Sequence, residues 1–210
     1  MRKDILLLGK KILVDESEVV FEYHGEENFE DYFDVKLGNW YYQDGCLYGK
    51  ELENRGGIIY TKQSFDFDVM MTFKVSTVLP ATRDLNAVWC SHWNEETNYL
   101  GDSYVCGLNG WYDGLSGIER NGSNEFYSST SLYKYVPGEE VEMTCGSING
   151  HCFMLVDGVL ISEYKDNYPL VGGYVGISPY CTWLKISDVV VRKIKWERRK
   201  QKYDPEFKKN

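Results

Sequence analysis

Long apolar runs and extended helical patterns are missing from this 210-residue sequence. No stretch approaches the roughly 20 consecutive apolar residues with which a helix crosses a bilayer. The apolar run near the start, from Ile5 to Leu8, stops at Gly9 and two lysines and is too short for the core of a signal peptide. We therefore expect a soluble, cytoplasmic protein with no membrane partner.

Metal-binding and redox-active cysteine pairs are missing as well. The six cysteines form no C-x-x-C pair, and the sequence has no D-x-D-x-D-G calcium loop and no metal triad. If Asn149-Gly150 is a two-residue turn, Cys145 faces Met154, and Cys152 is its diagonal neighbour on the same face. Buried reduced thiols are then favoured over disulfides, as in a reducing compartment. We expect no metal and no cofactor.

Basic residues are too few for nucleic acid to be the main partner. The formal net charge is -9, with 23 Lys and Arg against 32 Asp and Glu, whereas phosphate binding needs a basic surface. A neutral ligand such as an oligosaccharide is easier to accommodate. The one basic run is the C-terminal tail, residues 198–210. We interpret it as a frayed terminus, with a homo-oligomer or anion contact as the alternative.

The sequence is rich in aromatic residues and in short strand-like segments, with 17 Tyr and 6 Trp. Period-2 or continuous apolar strands recur at close intervals, separated by Gly, Asn and Asp. Asp44-Gly45, Asn149-Gly150 and Asp157-Gly158 predict two-residue hairpin turns. No linker rich in Pro, Gly or Ser divides the chain, so residues 1–197 are predicted to form a single domain. The predicted fold class is all-β, a sandwich of two antiparallel sheets.

Three segments carry a more specific pattern of turns and core positions. They are NFEDYFDVKLGNWYYQDGCLYGK, GGIIYTKQSFDFDVMMTFKVS and a closing meander that runs from GEEVEMTCGSINGH to DVVVRKI. Together they cover most of the chain from Phe21 to Ile194. They resemble the concanavalin A-like lectin/glucanase superfamily, and most closely the YesU-like and 3-keto-disaccharide hydrolase-type domains. The resemblance implies a jelly-roll sandwich with a concave sugar groove, but not an activity, since this fold hosts lectins, glycosidases, lyases and interaction modules.

One motif of that superfamily's glucanases is absent. Those enzymes carry E-x-D-x-x-E on one strand, which places three acids on the same face. The acidic stretches here, residues 15–18 and 26–31, have a different spacing. The retaining mechanism of those glucanases is therefore not carried over.

The stretch NAVWCSHW places two tryptophans on one predicted strand. Alternate residues of a strand share a face. Val88 and Cys90 look like the side pressed between the sheets, which predicts that Trp89 and Trp93 face outward, toward the surface where this fold holds ligands. An exposed row of two tryptophans is unfavourable unless something covers it.

The stretch YVCGLNGWY extends the same outward surface. Alternation along this strand places Asn109 and Trp111 on the outward face, and Gly107 would leave room for a ligand. Glu119 and Arg120 face opposite sides of the next strand, and which of them faces outward is left open. Aromatic planes combined with amide, carboxylate and guanidinium groups are the chemistry that sugars require. We predict an oligosaccharide groove with the ligand-binding residues Trp89, Trp93, Asn109, Trp111 and Arg120; the alternative is that the tryptophans are core and the polar groups are surface.

Catalysis would need acids beside this groove. Glycoside hydrolysis usually employs two carboxyl groups about 5–9 Å apart. The predicted catalytic residues are Glu119 and Asp102 as general acid or base, with His92 as a proton shuttle. Further carboxyl candidates are Glu95, Glu96 and Glu125. The predicted function is oligosaccharide binding with glycoside hydrolase-like activity, and the alternative is a non-catalytic carbohydrate-binding or protein-interaction sandwich.

Overall fold

A computed structural model describes residues 4–53, 55–111, 114–121 and 125–199 as an all-β fold. The first ten strands are β1 Ile5–Leu7, β2 Lys10–Ile12, β3 Glu18–Tyr23, β4 Phe33–Leu37, β5 Asn39–Gln43, β6 Cys46–Lys50, β7 Ile58–Thr61, β8 Val69–Thr77, β9 Leu85–Ser91 and β10 Trp93–Asn94. The next ten are β11 Tyr99–Leu100, β12 Ser103–Trp111, β13 Leu115–Asn121, β14 Glu125–Thr130, β15 Val141–Ile148, β16 His151–Val156, β17 Val159–Lys165, β18 Tyr174–Ile177, β19 Trp183–Lys193 and β20 Trp196–Arg198. Two short 3-10 helices span Val14–Glu16 and Phe29–Asp31.

Two large sheets form the sandwich. The seven-stranded sheet has the order β14-β13-β12-β9-β18-β7-β4. The eight-stranded sheet has the order β17-β16-β15-β8-β19-β6-β5, and β3 also pairs with β19. Every strand pairing within the described ranges is antiparallel. The predicted all-β sandwich of two antiparallel sheets is confirmed.

The main core lies between the two sheets and follows the period-2 pattern of the strands. Met71, Phe73 and Val75 alternate along β8 and are buried, as are Tyr104 and Cys106 of β12. Successive strand residues point to opposite faces, so these residues meet across the sandwich. The intervening residues form the outer faces of the two sheets.

The predicted hairpin turns are confirmed. Each of Asp44-Gly45, Asn149-Gly150 and Asp157-Gly158 has both residues at positive φ, between 47° and 77°, as a type I′ turn requires. The Asn149-Gly150 turn sets the register in which Cys145 pairs with Met154. Cys145 and Cys152 are buried free thiols in the same core cluster.

A third sheet, of order β1-β2-β20, covers the outer face of the eight-stranded sheet. Leu7 and Ile12 pack there against Met70, Phe153 and Leu155. Strand β20 ends at residue 198, one residue past the predicted domain boundary, and the N–H of residue 199 donates to the carbonyl of residue 9 at 3.0 Å. Residues 200–210 of the predicted tail lie outside the described residues.

The outer face of the seven-stranded sheet carries a second apolar layer. The β10–β11 hairpin folds over this face, and its residue Leu100 packs with Ile58, Tyr60, Val88 and Val105. The hairpin covers only part of the sheet and forms one wall of a cavity beside it. Within the described ranges, no helix has the length and apolar character needed to span a membrane.

Candidate functional site

Trp111 lies across the outer face of the seven-stranded sheet because β12 is irregular near its end. The register between β12 and β13 shifts between Gly107 and Trp111, and Asn109 adopts a left-handed φ of 58°. The indole folds back over Gly107, so that a Cβ at position 107 would lie 2.6 Å from Trp111 Cζ3. The space that the sequence predicted above Gly107 is therefore occupied by the Trp111 ring.

Glu119 is held beside this ring. It lies on β13 opposite Val105, and its Oε2 accepts a hydrogen bond of 3.0 Å from Trp111 Nε1. Burial raises the pKa of the Glu119 carboxyl, and the indole N–H partly offsets this shift. Within the described ranges, no Lys or Arg contributes to this shift in the pKa. Glu119 is therefore a desolvated carboxyl next to an aromatic plane.

A cavity of about 410 Å³ opens beside Trp111 and Glu119. Such a volume falls within the range of small-ligand sites in proteins. Its remaining lining combines aromatic rings with amide, hydroxyl and charged groups, and it includes Arg83, Asp84, Asn86, Tyr99, Leu100, Val105, Gly110, Asn121, Ser178 and Tyr180.

Asp84 is the second carboxyl group of the cavity. It is 4% exposed and has a left-handed φ of 59°. Burial raises its pKa to about 6, although its hydrogen bond with Arg83 acts in the opposite direction. Arg83 Nε donates to Asp84 Oδ2 at 2.7 Å, and Arg83 Nη2 donates to the carbonyl of Gly110 at 2.8 Å. Buried carboxyl groups with strained backbone are typical of functional sites.

Asn86 contributes a buried hydrogen-bond acceptor. Its side chain is 7% exposed, and Oδ1 has no hydrogen-bond partner among the residues that the structure describes. The same oxygen lies on the outer face of Gly107 and Gly110, 3.2 Å from where a Cβ of residue 110 would stand. Buried polar atoms are nearly always paired. Asn86 Oδ1 is therefore suited to accept a hydrogen bond from a ligand in this cavity.

The sequence analysis missed Asp84 and Asn86. A signal for them was present, because both are polar residues two positions apart in the otherwise apolar stretch DLNAVWC. Alternate positions of a strand share a face. This pair therefore marked the outer face of β9, opposite Leu85 and Ala87, which are buried between the sheets.

The prediction that Trp89 faces outward is wrong. Trp89 is 1% exposed and packs between the sheets against Tyr104, with ring centroids 5.6 Å apart. Regular alternation with Leu85 and Ala87 turns Trp89 toward the core. A bulge follows at Cys90, which has a left-handed φ of 46° at the point where the register between β9 and β18 shifts. Cys90 therefore faces the core next to Trp89, whereas Val88 faces outward. A tryptophan in this position cannot stack on a ligand in the cavity.

Trp93, His92 and Asp102 lie together in a shallow depression next to the cavity. Trp93 is half-buried, and His92 and Asp102 are exposed. The backbone N–H of His92 donates to the carbonyl of Asp102 at 3.2 Å. The depression shares Tyr99, Leu100 and Asn121 with the cavity, and its rim includes the exposed candidates Glu95 and Glu96.

Arg120 and Asn109 are used for structural contacts outside the cavity lining. Arg120 Nη1 donates to Asp166 Oδ2 at 3.2 Å and to the carbonyl of Tyr168 at 2.9 Å. Asn109 Nδ2 donates to the carbonyl of Thr82 at 2.7 Å. Of the ambiguous pair on β13, Glu119 is thus the residue that faces the cavity. The side chain of Glu125 lies outside the described part of the structure.

Comparison with known proteins shows which solved structures share this fold. The sequence matches no family model and no curated protein. A Bacillus subtilis protein of unknown function with a galectin-like fold matches with a TM-score of 0.70 and 10% identity, covering 87% of this chain and 98% of that chain. The carbohydrate binding module CBM66 from Bacillus subtilis matches with a TM-score of 0.62 and 11% identity over 76% of this chain and 94% of its own. The exoplasmic/lumenal domain of VIP36, in a Ca2+/Man3GlcNAc-bound form, matches with a TM-score of 0.60 and 11% identity. This match covers 90% of this chain and 93% of that chain.

The fold is galectin-like and concanavalin A-like. The fold that the predicted resemblance implies is thus confirmed, and the finer resemblance to YesU-like and 3-keto-disaccharide hydrolase-type domains stays a prediction. In this concanavalin A-like fold, the cavity lies on the face of the seven-stranded sheet that points away from the eight-stranded sheet. Among the described residues, no group of three or more His, Cys, Asp or Glu could hold a metal ion.

Proposed function

We propose that this protein binds a carbohydrate in the cavity beside Trp111. The observation that carries the proposal is the placement of an aromatic plane next to Asn86 Oδ1 and next to the desolvated carboxyl of Glu119. Asn86 Oδ1 is a buried acceptor with no partner in the described part of the chain. A pyranose presents an apolar C–H face and a belt of hydroxyl groups. The ring of Trp111 suits the face, and the amide and carboxyl oxygens suit the hydroxyls.

The rim of the cavity supplies the remaining contacts. Tyr99 and Tyr180 offer further ring surface, and Asn121 and Ser178 offer further polar groups. The names of two structural matches, a carbohydrate binding module and a Man3GlcNAc-bound domain, support a sugar as the ligand class. The overall negative charge of the chain agrees with a neutral ligand.

A glycan array followed by calorimetry tests the proposal. Tyr180 is 43% exposed, so Tyr180→Ala should leave the fold intact and weaken binding of the retained glycan. Trp111→Ala should abolish binding. Trp196, which is 40% exposed and lies on β20 on the opposite side of the molecule, provides the matched control Trp196→Ala. The proposal fails if the wild type retains no glycan, or if both cavity variants bind as the control does.

Hydrolysis is a second candidate function, which we infer from the two carboxyl groups of the cavity. Asp84, with a pKa raised to about 6, would protonate the glycosidic oxygen as its bond to the anomeric carbon breaks. Glu119, as the carboxylate, would take the proton of the water that attacks the anomeric carbon. In this assignment Asp84 replaces Asp102, which is exposed at the adjoining depression.

Turnover separates the two candidate functions. If the protein is a hydrolase, Asp84→Asn and Glu119→Gln should each lose about 10²-fold or more in kcat while still retaining the glycan. The protein is a binding module if the retained glycan stays uncleaved by the wild type over prolonged incubation.

A further inference from the structure

A second, smaller cavity lies at one end of the sandwich, where three connections pass between the two sheets. Their described residues are 51–53 with 55–57, 78–84 and 178–182. They are tied together by backbone hydrogen bonds, from Glu51 N to the carbonyl of Thr182 at 3.3 Å and from Val78 N to the carbonyl of Trp183 at 2.8 Å. The cavity measures about 260 Å³ and is lined by Lys50, Glu51, Val78, Pro80, Ala81, Cys181, Thr182 and Trp183.

Two residues that line this cavity each carry a buried side-chain polar atom with no hydrogen-bond partner among the described residues. Thr182 is 4% exposed, and its Oγ1 has no hydrogen-bond partner within the described ranges. Trp183 Nε1 is likewise buried, with no acceptor among the described residues. Leaving such groups unpaired is unfavourable. A ligand that accepts from the indole N–H and exchanges a hydrogen bond with the threonine hydroxyl would satisfy both.

The charges around this cavity favour a neutral ligand. Lys50 Nζ lies 5.3 Å from the centroid of the Trp183 ring, and Glu51 Oε2 accepts a hydrogen bond of 2.9 Å from the N–H of Cys181. One cation and one carboxylate thus line the same small space, so a phosphate or a carboxylate would meet repulsion from Glu51. Hydroxyl groups can bond to either charge.

Two segments of the chain contribute residues to both cavities. The segment from Pro80 to Asp84 begins in the lining of the second cavity and ends in the lining of the first. The segment from Ser178 to Trp183 begins in the lining of the first cavity and ends in the lining of the second. Cys181 of the second cavity is close enough to Asp84 and Arg83 of the first for their charges to act on its thiol. Tyr180 lines the first cavity and directly precedes Cys181, which lines the second.

We propose that the second cavity is a further sugar subsite and that the ligand is an oligosaccharide chain passing over Tyr180 from one cavity to the other. This inference rests on the proposed function. In this arrangement a monosaccharide occupies only the Trp111 cavity. A longer oligosaccharide also places a sugar ring against Trp183 and Thr182.

Calorimetry with fragments of the neutral glycan retained on the array, from the monosaccharide to the tetrasaccharide, tests this subsite. Trp183→Phe keeps a ring and removes the N–H, and Thr182→Val keeps the shape and removes the hydroxyl. Each should weaken binding of the longer fragments about fivefold to tenfold and leave monosaccharide binding unchanged. The control is Trp196→Phe, which should bind every fragment as the wild type does.

A stability measurement guards against misfolded variants. Because Thr182 Oγ1 is buried and has no partner among the residues that the structure describes, Thr182→Val should have a Tm equal to or above that of the wild type without ligand. The subsite is refuted if both variants bind the longer fragments like the wild type while Trp111→Ala still loses them, and in that case the proposed function stands. If no fragment binds to the wild type, the proposed function and the subsite fail together.

Discussion

Trp111 Nε1 donates a hydrogen bond of 3.0 Å to Glu119 Oε2, across two neighbouring strands of the seven-stranded sheet. The contact fixes the plane of the indole over Gly107. It also opposes the effect of burial on the carboxyl group. One hydrogen bond therefore controls both the stacking surface and the charge next to it.

Trp111→Phe tests this coupling. The substitution keeps an aromatic ring but removes the indole N–H, which now lowers the pKa of Glu119. We expect the pKa of Glu119 to rise further and glycan affinity to fall less than in Trp111→Ala. A carboxyl-carbon NMR titration measures the first effect. An unchanged midpoint for Glu119 would show that the hydrogen bond does not control its ionisation.

Asp84 should titrate near pH 6, about two units above an ordinary aspartate. Arg83 holds this pKa down by its hydrogen bond and charge, so Arg83→Gln should move the midpoint higher still. The same NMR titration follows Asp188 as a reference, since Lys74 holds the pKa of Asp188 below its usual range. A midpoint near 4 for Asp84 in both proteins would refute the desolvation on which the hydrolase candidate depends.

Trp89 is expected to be a stability residue. Its side chain is 1% exposed between the sheets, so Trp89→Ala should lower the free energy of unfolding by about 3–5 kcal/mol. Trp93→Ala, at a half-buried position, should lower it by about 1–2 kcal/mol. Urea denaturation measures both. Equal losses for the two variants would contradict the placement of Trp89 in the core.

His151 joins the small sheet to the eight-stranded sheet. Its Nδ1 lies 2.9 Å from Lys10 Nζ and its Nε2 lies 3.0 Å from Glu163 Oε2. Because the lysine ammonium can only donate, the neutral ring accepts at Nδ1 and donates from Nε2 to the carboxylate. Burial is the main cause that lowers the pKa of His151, and the positive charges of Lys10 and Lys165 lower it further. The carboxylate of Glu163 acts in the opposite direction and raises this pKa. Asp68 also faces Lys10.

Acidification should therefore loosen this junction. A histidine whose pKa is lowered by folding contributes full stability above its ordinary value near 6.5, and that contribution is lost as the pH falls. We expect the Tm of the wild type to fall more between pH 7.5 and pH 5 than that of His151→Gln. His24, which is exposed and directly follows β3, provides the control His24→Gln. Parallel pH profiles for the wild type and His151→Gln would refute the prediction.

The sequence predicted the sandwich well because its turns are chemically specific. Asn149-Gly150 and Asp157-Gly158 leave few alternatives to a type I′ hairpin, and each hairpin fixes the register of the strands around it. Alternation in β12 likewise placed Tyr104 and Trp111 on opposite faces, as observed.

The site was predicted less well, because β9 is buried on both faces. Its residues from Leu85 to Ser91 are all buried, one side by the sandwich core and the other by the β10–β11 hairpin. Beyond Asn86, a strand covered on both sides shows no clear polar face, so the predicted orientation rested on Val88 and Cys90, which are both apolar. Val88 is covered by the hairpin on the outer face, and the bulge brings Cys90 to the core side beside Trp89, so neither residue indicated the orientation of Trp89. Nothing in the local sequence encodes that bulge, which depends on pairing with β18, a strand more than 80 residues away.

The meeting of β1, β2 and β20 in one small sheet has a practical consequence for measuring binding. The first and last described strands lie on the outer face of the eight-stranded sheet, whereas the Trp111 cavity opens on the outer face of the other sheet. A biotin or an affinity tag attached beyond either end would tether the molecule through the side that lies opposite the Trp111 cavity. Immobilised in this way, it presents the cavity to the solution, and tethering through the N-terminus or the C-terminus should give the same response to a glycan.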